Sequence, residues 1–74
     1  HHELDQNRLA RMTGNARYLV RGGHVRKGVS VAHAADVLWT YSSPELFDLL
    51  VRRRHWRLER YGRFVADAIA DALL

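Results

Sequence analysis

The side chains of this 74-residue chain that could do chemistry are an arginine run, a scatter of histidines and three serines. Clustered arginines such as Arg52-Arg53-Arg54 neutralise phosphates and drive salt-dependent nucleic-acid binding. Three cations in the last turn of a helix also complement the negative end of its dipole. Residues 31–74 hold six basic and six acidic side chains, so no net charge supports a phosphate-tracking surface there, and the dipole role is the better account. His24, His33 and His55 lack the i,i+4 or cysteine-paired spacing of metal ligands, and the chain has no cysteine. Ser30, Ser42 and Ser43 fit caps and turns. No Gly-x-Ser-x-Gly elbow or phosphate-cradling glycine loop accompanies them. Neither catalysis nor a metal or organic cofactor is expected.

Trp39, Tyr41, Phe47, Trp56, Tyr61 and Phe64 recur at helical spacing, where aromatics serve first as core and interface. A small apolar effector between helices is the second use of such residues, and Met12, Tyr18 and Trp39 are the candidates to line its pocket. The net charge of +4 lies entirely in residues 1–30, with six basic and two acidic side chains. Arg8, Arg11, Arg17 and Arg21 fall off the apolar arc of the first helix and read as a solvated face.

The elements that would carry these residues are helical throughout. Leu9, Met12, Ala16, Leu19 and Val20 share one arc of about 100°, the mark of an amphipathic helix over residues 4–21. Gly22 and Gly23 supply its left-handed end. Ser30 is placed to cap a second helix over 31–41, which Ser42, Ser43 and Pro44 terminate. Ser43-Pro44-Glu45 then restarts a third over 44–54, with serine as cap, proline at the first helical position and a carboxylate at the positive dipole end. A fourth runs over 58–73. The expected fold class is all-α, a helical bundle of about four helices.

The second and fourth helices carry apolar arcs of roughly 220° and 200°, against the ~100° an ordinary surface helix needs. Each is expected to have one face for its own chain and one for a partner. Without a staple, a core of this size rarely supplies more than about 3–5 kcal/mol, so dimerisation is expected to complete the bundle. The candidate interface takes Val31, Ala35, Leu38 and Trp39 from the second helix and Leu46 and Leu50 from the third. From the fourth it takes Tyr61, Gly62, Val65, Ala66, Ile69, Ala70 and Leu73. Gly62, Ala66 and Ala70 recur every four residues, which lets a neighbouring helix approach closely.

No run approaches the ~18 apolar residues of a membrane span, and no membrane partner is expected. No signal peptide is read at the start. The absence of cysteine fits a reducing cytoplasm, the expected location. The chain opens on His1-His2 rather than methionine, as an excised piece with the end of an affinity tag would.

Several blocks together resemble a known pattern: Ala35-Asp36-Val37-Leu38-Trp39-Thr40, then Ser43-Pro44-Glu45-Leu46-Phe47-Asp48-Leu49-Leu50-Val51. Trp56, Glu59-Arg60-Tyr61, Val65-Ala66-Asp67 and the terminal Leu73-Leu74 follow in order. From Gly28 onward the chain is similar to the C-terminal region of TetR-family transcriptional regulators. The resemblance implies an effector-binding and dimerising all-α part, pairing commonly through a four-helix bundle of the last two long helices. By resemblance, residues 31–51 and 58–74 would be the homodimer elements. Operator DNA would be read by an upstream helix-turn-helix that these residues do not include, leaving a C-terminal fragment of a repressor. Where the family often has Gly-Trp-Ser before its last helix, this chain has His55-Trp56-Arg57, which lacks a serine-type cap. The alternative is a free-standing helical dimerisation or protein-interaction module with no DNA or effector role.

Overall fold

Two serines and one glycine set the helix boundaries. Ser30 Oγ accepts a hydrogen bond from the His33 amide at 3.0 Å, and Ser43 Oγ accepts one from Leu46 at 3.3 Å with Pro44 at the first helical position. Each bond satisfies an amide that the helix itself leaves unpaired. At the end of the first helix Gly23 takes φ +73°, while the His24 amide bonds the Leu19 carbonyl and the Gly23 amide that of Val20. This double closure is a Schellman cap, whose left-handed residue is cheap only for glycine.

The computed structural model describes residues 2–74, and the side chains of residues 5–74; His1, read with His2 as the end of an affinity tag, lies outside them. The described residues are all helical, without strands. The elements are α1 (His2–Arg21), α2 (Val31–Tyr41), a single turn α3 (Pro44–Phe47), a π-helical segment (Asp48–Arg53) and α4 (Leu58–Leu73). The expectation of about four helices is thereby corrected to three: the third leaves α-helical geometry after one turn. In the π segment Asp48 and Arg53, five residues apart, pair at 2.9 Å. Bonding from i to i+5 sets that separation on one face, whereas on an α-helix it would be about 140° apart. No helix of the described residues is long and apolar enough to cross a membrane.

α2 lies between α1 and α4, which touch each other little. The buried centre is Ala16 of α1, Ala34 and Ala35 of α2 and Leu73 of α4. Around it pack Val20, Val25, Val29, Val31, Val37, Leu38, Ile69 and Ala72. Three of the four central residues are alanines, so α1 and α2 approach closely, and among the described residues Leu73 is the one large side chain fully enclosed. The result is a flat body of 37 × 28 × 14 Å. Its radius of gyration is 13.1 Å, where a compact globule of this length has about 11 Å.

Two arginines from the basic first segment close helix ends. Arg26 donates through its amide to the Leu73 carbonyl and through its guanidinium to those of Asp71, 3.3 Å, and Ala72, 3.0 Å. The last carbonyls of α4 have no helical partner and carry the negative dipole end, so a cation there is doubly favourable. Arg8 does the same for α2, donating to the Trp39 carbonyl and to Ser42 Oγ at 2.7 Å, with its guanidinium 5.3 Å from the Trp39 ring centroid. The expectation that Arg8 belongs to a solvated face is therefore corrected. It sits just beyond the apolar arc and four residues before Met12, close enough to turn inward. Arg8→Ala is expected to cost about 1.5–3 kcal/mol, the range for hydrogen bonds to a charged group; urea unfolding of the two proteins measures it.

Candidate functional site

Apart from Tyr18 in α1 and Leu74 at the chain's end, the large apolar side chains left exposed among the described residues lie in α3, the π segment and the first half of α4. Phe47 and Tyr61 meet edge to face at 5.4 Å, and Trp56 and Phe64 do the same at 5.4 Å. Such T-shaped pairs fix ring orientation and add to plain burial. The turn from the π segment into α4 aims these rings: His55 takes φ +61°, and the Trp56 amide bonds the Leu50 carbonyl at 2.9 Å. The Arg60 guanidinium lies 3.7 Å from the centroid of Trp56, a cation–π contact. The Tyr61 phenol is held above its ordinary pKa because partial burial disfavours the charged form. α4 begins at Arg57 without a side-chain cap.

Large side chains stay open to solvent here. Leu58 is 64% exposed, Leu49 52%, Phe64 39% and Phe47 37%. The total accessible area is 5591 Å², where a folded monomer of this mass exposes about 4,700 Å². The difference, about 900 Å², compares with about 800 Å² per partner in a standard protein interface.

The candidate interface residues divide. Ala35 and Leu73 are enclosed in the chain's own core, and Val31, Leu38 and Ile69 pack against it. These five face their own chain because α1 and α4 cover α2 from two sides, which absorbs the wide arc that suggested a second, partner-facing surface. Trp39 is partly buried beneath Arg8. Leu46, Leu50, Tyr61, Val65 and Ala70 are partly exposed, and Gly62 and Ala66 are exposed. A Cβ on Gly62 would meet nothing within 4 Å, so no helix of this chain makes the close approach there. Phe47, Leu49, Leu58 and Phe64 belong to the open surface; Phe47 and Phe64 were among the aromatics read as core and interface, whereas Leu49 and Leu58 were not assigned to the interface. The signal for Phe64 and Leu58 was their place on the wide α4 arc. Leu49 lies about 60° beyond Leu46 on the helical wheel of its segment, at the margin of the apolar side, and stays exposed.

Met12, Tyr18 and Trp39 do not come together around one cavity. Tyr18 is 71% exposed and stacks on His24 at 5.6 Å. Trp39 lines two shallow hollows, one of about 230 Å³ with Arg8, Thr40, Ser43 and Glu45, another of about 290 Å³ with Asp5, Gln6 and Leu9. Its indole N–H is buried without a hydrogen-bond partner among the described residues. A third hollow of about 550 Å³ is lined by Asp5, Pro44, Glu45, Asp48, Leu49 and Arg53. In the arginine run, Arg52 and Arg53 both reach Asp48, at 3.8 and 2.9 Å, so local pairing occupies two of the three cations. No protein-family model, curated protein or solved structure matches the chain.

Proposed function

We propose that this chain is a helical association module that pairs with a second copy of itself, as the C-terminal dimerising part of a TetR-like transcriptional regulator. In that family operator DNA is read by a helix-turn-helix, and residues 1–74 take the association role. The observation that supports this reading is the open aromatic and aliphatic surface of α3, the π segment and α4, in a chain whose total accessible area exceeds that of a compact monomer of its mass. Soluble homo-oligomers most often close as two-fold dimers, and that pairing would bury Phe64 and Leu58. An effector role has less support, since Met12, Tyr18 and Trp39 share no cavity. We therefore confine the proposal to association.

The test joins residues 1–74 to a monomeric helix-turn-helix domain. Affinity for two half-sites one helical turn apart should rise well above that for one half-site, because dimers engage both. Equal affinity for one and for two half-sites would reject the regulator reading.

A further inference from the structure

All six basic side chains of residues 31–74 fall between positions 52 and 63: Arg52, Arg53, Arg54, Arg57, Arg60 and Arg63. Every one is exposed, as is His55 among them. Averaged over the half-chain this charge cancels, but in the folded chain it is concentrated at the end of the π segment, the turn and the start of α4. Two carboxylates stand with it, Asp48 and Glu59. Asp48 takes up Arg52 and Arg53, and the exposed Glu59 lies in the first turn of α4. Asp67 and Asp71, also exposed, bound the cluster further along α4.

The helix dipole accounts for only part of the cluster. Arg52 and Arg53 lie in the last turn of the π segment, where cations are favoured. Arg57 and Arg60 lie at the opposite kind of end: Arg57 precedes α4 at its cap position without a capping bond and Arg60 is in the first turn, where cations are disfavoured. Among the described residues Arg54, Arg57, Arg60 and Arg63 join no ion pair. Their counter-charge must come from outside the chain.

The apolar groups among these charges select the kind of anion. Arg60 lies 3.7 Å from the Trp56 ring centroid, and Phe64, one turn further along α4, meets the same ring at 5.4 Å and 88°. Rings set at right angles and covered by a guanidinium are not the open platforms on which nucleic-acid bases stack, and a phosphate backbone would leave Phe64 without an apolar partner. A lipid surface is planar, but Leu58, the most exposed apolar side chain of this region, lies about 160° from Arg60 on the α4 wheel, so one plane cannot receive both. An acidic protein segment fits: its carboxylates match guanidinium forks, its apolar side chains cover the aromatics, and arginine with aromatics is the composition of protein interfaces.

We propose that the turn between the π segment and α4, through Arg54, Arg57, Arg60, Arg63 and Phe64, docks an acidic, leucine-bearing segment of another protein. One copy of the chain suffices. Phe64 also borders the surface proposed for self-association, so such a segment competes with a second copy, and a chain that stayed monomeric would bind it no less.

Fluorescence anisotropy of a labelled synthetic helical peptide, with glutamates along one face and leucines along the next, tests it by titration with residues 1–74 at physiological ionic strength. Saturable binding is expected. Arg57→Glu with Arg60→Glu should raise the peptide Kd about tenfold or more, as reversing charges that meet a partner's does. Both changes place acids where the α4 dipole favours them, so helicity by circular dichroism should hold while binding falls. Arg11→Glu with Arg17→Glu, exposed on α1, changes net charge equally and should leave Kd near that of the unaltered chain. Serine in place of the peptide's leucines should weaken binding about tenfold, through lost apolar burial. No saturable binding, an equal loss from the α1 variant, equal binding of the serine peptide, or tighter binding of an oligonucleotide or of anionic lipid vesicles than of the peptide would each overturn the proposal.

Discussion

Truncating Leu73 to alanine is expected to destabilise the chain by about 2–5 kcal/mol, the range for a fully enclosed leucine whose cavity cannot collapse. Leu73 is 1% exposed and, among the described residues, is the only large side chain fully enclosed in the central cluster, with Ala16, Ala34 and Ala35 beside it and partly buried valines, Leu38 and Ile69 around it. The three alanines have no side-chain reach to fill the space it would leave, and the β-branched valines around them have little rotamer freedom to do so. α4 docks on α2 near its C-terminal end, where Arg26 also holds its last carbonyls. The substitution therefore releases the helix that carries Tyr61 and Phe64. A core of this size supplies only about 3–5 kcal/mol, so the variant should be largely unfolded as a monomer. Urea unfolding at fixed protein concentration measures the change. A loss below about 1 kcal/mol would show that Leu73 does not anchor α4, since such truncations rarely cost so little.

The second large effect falls on association and leaves the fold intact. Phe64→Glu should weaken the dimer about 100-fold, because a charge forced into a desolvated interface has no partner to offset it. Phe64 is 39% exposed within one chain, so the monomer should keep its helicity. Tyr18→Glu, on the far helix and 71% exposed, is the control and should leave Kd unchanged. An equal loss from both substitutions would move the interface to α1.

Features governed by neighbours in sequence were legible. Ser30, Ser43-Pro44 and Gly22-Gly23 act through hydrogen bonds and backbone angles spanning a few residues, and residue type alone identifies such positions. The all-helical class followed from the apolar spacing. Features that depend on packing were not legible. Nothing in the residue types of Asp48–Arg53 distinguishes a π segment from an α-helix. The wide arc of α2 was read as one face for its own chain and one for a partner, but helical wheels do not say which provides the cover, and α1 and α4 both pack on α2. Arg8 lay at the edge of its arc, where a long side chain can turn either way, and the free carbonyls at the end of α2 drew it inward. His55 adopts a left-handed conformation, φ +61°, which side chains other than glycine rarely take, and no residue type in the sequence marked it.

The most direct test of the central claim is sedimentation equilibrium of residues 1–74 across about 1–100 μM, the range in which interfaces of modest area associate. The account predicts a reversible rise in mass to twice the 8.6 kDa of the chain, with no larger species, as a closed two-fold pair requires. A folded chain that holds the mass of one copy over the whole range would contradict it.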